Sequence, residues 1–251
     1  MSVNRGAGHE HDGPTDSASV PWAGRDLSPS GFEADSGAAD PTVLAALATP
    51  GDDLALMRAV EAARFVVPVV ADLTEADSTG GLAVDTSVDM AAVTLVAPDG
   101  QRALPVFTGT QSLAAWDPTA RPVPVTPARA GQAAVAEGCD VIVVDVAGPA
   151  TRVLRPSMVW ALAQQRPWEP AHTDPFVARS VSAAVRDEDV VTASEVEEGN
   201  PRGEGVLGVV LTLRPGLGPD EVRAVATRVG ERLATDGELR ARIDGLAFRL
   251  R

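Results

Sequence analysis

Apolar and polar positions along the chain follow a helical period in some stretches and a two-residue period in others, and each change of period predicts a new element. Asp40-Pro41 supplies an N-cap and a first helical residue, which predicts a short helix to Ala48 that Pro50-Gly51 ends. A second helix starts at Asp52 or Asp53, whose carboxylates face the positive end of the helix dipole, and Leu56, Val60 and Ala63 mark its buried stripe. From Phe65 to Ala71 a β-branched run replaces that stripe and predicts a strand, in which Pro68, having no N–H to give, points to an edge or a bulge. Residues 72–86 are acidic and contain glycine, and read as a long loop. Residues 90–96 and 102–107 then read as a hairpin turning at Pro98-Asp99-Gly100.

Thr110 caps a short helix carrying Leu113, Ala114 and Trp116, and Asp117-Pro118 stops it. An extended stretch over 122–125 leads to Thr126-Pro127, the cap and first position of a helix running to Glu137 and closed by Gly138. Residues 141–144 form a buried strand, Gly148-Pro149 turns the chain, and residues 152–154 return as its partner. Pro156 opens a helix through Gln165 with Val159, Leu162 and Ala163 inward. After the proline-rich Arg166-Pro167-Trp168-Glu169-Pro170, the order becomes helix (175–185), strand (189–196), polar tip (197–205), strand (206–213), helix, strand. Gly218-Pro219-Asp220 opens that last helix, with Val222, Val225, Ala226, Val229 and Leu233 on one stripe, and Gly237 breaks it. Leu246, Phe248 and Leu250 alternate with Ala247, Arg249 and Arg251, so the final strand has one buried and one wet face.

The predicted fold class is α+β: two small domains, each a mixed β-sheet with helices packed mainly on one face. Residues 1–20 are too poor in large apolar side chains to offset ordering entropy and are read as a disordered arm. The first domain spans 21–170 and the smaller α-β-β-α-β domain spans 171–251.

Composition narrows the chemistry. In 251 residues, 45% are hydrophobic but only 4% aromatic, with no Tyr, so short aliphatic side chains must fill the interior. The 35 acidic residues face 21 basic ones, all arginine, for a net charge of −14. Such a surface repels phosphate backbones and anionic lipid, so neither nucleic acid nor a membrane is an expected partner. A single cysteine makes no internal disulfide, and the first residues lack the basic and apolar regions of a secretory signal; a cytoplasmic location is expected.

Reactive constellations are scarce in this sequence. His9 and His11 lie in the polar arm, and His172 reads as a surface residue beside the proline-rich boundary. Cys139 precedes a buried strand and reads as a small core residue. Asp72, Glu75 and Asp77 lack the alternation of a calcium loop, and Glu195, Glu197 and Glu198 fit a hairpin tip. Ser78-Thr79-Gly80-Gly81 lacks the lysine of a phosphate-binding loop, and no dinucleotide fingerprint follows a strand, so no cofactor is expected. What remains is surface: Trp22, Phe107, Trp116, Trp160 and Trp168 form the candidate protein-binding set, and the strand around Phe107 adds an interaction edge if it is exposed.

Several segments carry a family likeness: Trp22-Ala23-Gly24-Arg25, Val67-Pro68-Val69-Val70-Ala71, Ala103-Leu104-Pro105-Val106-Phe107-Thr108, Leu113-Ala114-Ala115-Trp116, Arg121-Pro122-Val123-Pro124-Val125 and Trp160-Ala161-Leu162-Ala163-Gln164. They resemble actinobacterial members of the SseB family over roughly residues 21–170, most strongly from Met90 onward. The tail from His172 stands where the family sometimes carries its C-terminal domain. The resemblance brings no catalytic residue with it. The function expected is that of a non-catalytic cytosolic module that binds another protein. A metabolite sensor or enzyme whose charged residues meet only in space is the alternative, and a deep pocket lined by Arg102, Arg155 or Asp145 would favour it. A secretion-linked chaperone or effector is a further alternative, resting on the family label.

Overall fold

The computed structural model of the chain describes residues 31–71 and 90–251. Helix α1 (Pro41–Leu47) starts where Asp40 accepts a hydrogen bond from the Thr42 N–H at 2.7 Å, and α2 (Asp53–Ala62) where Asp52 accepts from Ala55 at 2.9 Å. Strands β1 (Phe65–Ala71), β2 (Met90–Ala92), β3 (Leu95–Val96) and β4 (Arg102–Val106) follow, then α3 (Thr110–Trp116), β5 (Arg121–Val125) and α4 (Pro127–Ala136). Strands β6 (Val141–Val144) and β7 (Arg152–Leu154) lead to α5 (Pro156–Ala163). The remainder is α6 (Pro175–Ala184), β8 (Val191–Glu198), β9 (Val206–Leu213), α7 (Pro219–Thr235), a short α8 (Gly237–Arg240) and β10 (Gly245–Leu250). Asp236 thus closes α7 as its C-cap and opens α8 as its N-cap, and the expected breaker Gly237 is the first residue of α8.

The fold class is α+β, and the described residues form three small sheets. Sheet β2-β1-β5 is antiparallel; in sheet β3-β4-β6-β7 only the β4–β6 pair is parallel; and in β10-β9-β8 the first pair is parallel and the second antiparallel. The run over residues 90–96 splits: β2 joins β1, while β3 makes the expected hairpin with β4, turning at Gly100 with φ +88°. Val66 and Phe107 exchange both backbone hydrogen bonds at 2.8 Å and so couple the first two sheets.

Pro68 departs from expectation, because β1 is the central strand of its sheet. Since Val66 spends its N–H and C=O on Phe107, backbone alternation turns Pro68 away from β5 as well, into the interval before β2 pairing begins at Val69. Directly opposite Pro68 stands Pro122, so two residues without donors face each other where no hydrogen bond is made.

Helices α1, α2, α4 and α5 cover one face of the first two sheets, enclosing Leu56, Phe65, Leu104, Ile142, Leu154, Met158 and Trp168. On the opposite face α3 closes a satellite cluster of Val66, Phe107, Leu113 and Ala120. A separate core begins at Ala171, where α6, α7 and α8 cover Leu207, Val209 and Leu211 of the third sheet, with Leu246 and Phe248 packed alongside. The aliphatic interior lets α4 and α5 come very close at Gly131, where an added Cβ would lie 2.7 Å from the Ala163 nitrogen and 3.0 Å from the Val159 oxygen.

Those neighbours are backbone atoms and cannot swing aside. Gly131→Ala is expected to destabilise the protein by about 1–3 kcal/mol despite the better helix propensity of alanine; denaturant unfolding that shows no loss would contradict this close approach.

Candidate functional site

The polar groups of the larger core gather at two places. At the first, the C-terminal ends of the parallel strands β4 and β6 bring together Thr108 and Asp145, both buried. Asp145, at φ +52°, accepts from the Thr108 N–H at 2.9 Å and from its hydroxyl at 2.7 Å, and its own carbonyl accepts from Thr151 Oγ1 at 2.7 Å. Carboxyl ends of parallel strands are a common ligand position in open α/β sheets. Here the chain itself fills it: Arg64 donates to the Thr108 and Ala38 carbonyls, and the Thr110 N–H donates to the Gly37 carbonyl.

The second place is a cleft of about 180 Å³ between the start of α5 and the loops of the third sheet, lined by Asp53, Arg155, Ser157, Trp168, His172 and Asp244 among others. The Arg155 guanidinium donates to Asp53 at 2.7 Å, to Asp244 at 2.9 Å and to the Gly203 carbonyl at 2.9 Å. Asp244 also accepts from the Ser157 N–H at 2.7 Å and hydroxyl at 2.8 Å, and the Trp168 indole N–H donates to Ser157 Oγ at 3.1 Å. Burial opposes the charge on Arg155, but its hydrogen bonds to Asp53 and Asp244 outweigh that and raise its pKa. Gly205 admits this arrangement: its φ is +72°, and a Cβ there would fall 2.0 Å from the Asp244 carboxylate.

The three residues proposed as marks of a deep pocket are not brought together. Arg102 is exposed where β4 begins and Asp145 lies past the end of β6; of the three, Arg155 alone lines the cleft. His172 is half-buried in that cleft. The Cys139 thiol is buried, which raises its pKa against the opposing pull of Thr94 and Arg102. Glu195 and Glu197 pair across the sheet with Arg251 and Arg249, while Glu198 accepts from the Gly203 N–H. His9, His11, Trp22, the Asp72/Glu75/Asp77 group and residues 78–81 lie outside the described residues, as does the expected disordered arm.

The aromatic candidates separate by burial. Phe107 is fully buried and Trp168 is 7% exposed, so neither ring is offered to a partner, a correction imposed by core packing. Trp116 is half-buried against Phe107, with ring centroids 5.4 Å apart. Trp160 projects from α5 and is 41% exposed. Strand β4 runs between β3 and β6 and is no free edge, which removes it as an interaction edge.

Residues 42–161 match the SseB protein N-terminal domain. The chain carries an SseB N-terminal domain. No curated protein and no solved structure matches the chain. The SseB domain runs from α1 into α5, so it contains Thr108, Asp145, Arg155, Ser157 and Trp160, whereas Trp168, His172 and Asp244 follow it in sequence. Its boundary therefore passes through the cleft.

Sequence reasoning missed a charged group beyond the SseB domain, where Glu188 is buried between α6 and α7. It accepts from Arg228 at 2.6 and 3.1 Å and lies 3.0 Å from Arg232. Hydrogen bonding to Arg228 is the main reason its carboxyl titrates below the usual glutamate range, against the opposing effect of burial. A carboxylate whose folded pKa is depressed adds stability that is complete above the unfolded value, about 4.3, and is lost as pH falls through the folded one. Between about pH 5 and pH 3, thermal melts of Glu188→Gln are therefore expected to lose less midpoint temperature than wild type, and equal slopes would deny Glu188 this role.

Proposed function

We propose that the chain is a non-catalytic protein-binding or regulatory module of the cytoplasm, with the outer face of α5 in its SseB domain as the contact surface. The supporting observation is Trp160, a large ring held 41% exposed on a helix whose other face is locked into the core. Exposed aromatics on rigid elements are the residues that most often anchor protein interfaces. The polar groups point the same way, because among the described residues every buried side-chain nitrogen and oxygen has a hydrogen-bond partner and is committed to the frame. Among the described residues no helix is long and apolar enough to cross a membrane. The sensor or enzyme alternative has the 180 Å³ cleft in its favour, yet the guanidinium that would greet a ligand there is already engaged by two carboxylates and a carbonyl.

A photo-crosslinking residue at position 160, used in native-host extract, is expected to capture a discrete protein that the same residue at Arg223, exposed on α7, does not capture. Trp160→Ala is expected to abolish binding of that protein while changing stability by less than about 1 kcal/mol. Identical adducts at both positions, or substrate turnover by the purified chain that one polar substitution abolishes, would overturn the reading.

A further inference from the structure

We infer that the two cores are joined by an ionic latch centred on Asp244, and that releasing it lets them part as intact bodies. Residues 37–251 close into one compact unit, yet among the described residues every broad packing of one helix or strand on another stays within one core. The main core ends at Trp168 and the next begins at Ala171, leaving Glu169 and Pro170 as the covalent link. Named contacts across the seam are polar: Asp244 with Arg155 and with the Ser157 N–H and hydroxyl, Arg155 with the Gly203 carbonyl, and Arg166 with Glu238.

Three donors of the first core thus converge on one carboxylate of the second, whose side chain is only 6% exposed. Charge-assisted hydrogen bonds of this kind depend on geometry and on both partners being present. An apolar interface has no such single point of failure. Gly205 contributes by absence, since a methyl group there would collide with the Asp244 carboxylate and with Arg155 Nε at 2.9 Å. Opening withdraws Asp244 from the donors of Arg155 and Ser157 and uncovers the edge of Trp168 that faces the cleft. The inference stands independently of the protein-binding reading, because it concerns the seam and not Trp160.

The test uses the full chain with Cys139→Ala and spin labels at Val135→Cys on α4 and Arg223→Cys on α7, reading the distance between them together with hydrogen exchange in both cores. Wild type is expected to give one short distance. Asp244→Ala, and separately Gly205→Ala, are expected to raise a longer-distance population at least tenfold while β6 and β9 keep their exchange protection. Wild type in 1 M salt should move in the same direction by less, because a buried pair is only partly screened. An unchanged distance in both variants would show that the seam is held by something else. Loss of protection in both cores together would show one cooperative fold without a latch. Either result overturns the inference.

Discussion

Asp244 places one carboxylate against three donors of the larger core and carries most of the named contacts between the two cores. The donors are themselves fixed: Ser157 occupies the first turn of α5, Pro156 presets the start of that helix, and Trp168 holds the serine hydroxyl from behind. Arg155 adds a second tie to Asp53 at the start of α2. The Arg155 guanidinium, shared by Asp53 and Asp244, thus links the first turns of two helices to the end of the loop before β10.

The same economy recurs because the chain has no lysine, so every permanent side-chain cation is an arginine. A guanidinium offers five donors in a plane and can serve several acceptors at once. Arg242 meets Asp174 at 2.6 Å and Glu238 at 2.7 Å while lying over the Phe176 ring, and Arg64 holds two backbone carbonyls. With aromatics scarce and the cores made of short aliphatic side chains, these forks tie together elements that apolar packing alone leaves separate.

Local rules made most of the fold legible. Asp40-Pro41, Thr126-Pro127 and Gly218-Pro219 open helices where cap chemistry says they should, and β1, β6, β7 and β9 begin and end at the expected residues. The failures involve information that is not local. Pro68 could not reveal that Val66 pairs with Phe107, so its missing donor read as a sign of an edge. Phe107 reads as surface because nothing near it in sequence announces Val66, which pairs with it from another sheet and buries it. Arg155, 89 positions from Asp244, was noticed only as a possible pocket residue. Glu188, in the loop after α6, carries no sign in the sequence of Arg228 and Arg232, which reach it from α7.

The paired prolines of β1 and β5 also decide what the first sheet can become. Val66 faces Pro124 just as Pro68 faces Pro122, and because Val66 turns its backbone groups toward Phe107, both β5 prolines direct theirs outward. Among the described residues nothing pairs with the outer rim of β5, which therefore lacks amide protons at both positions where an incoming strand would seek them. A foreign extended peptide finds acceptors there but nothing to complete a ladder, so growth by strand addition is blocked on that flank.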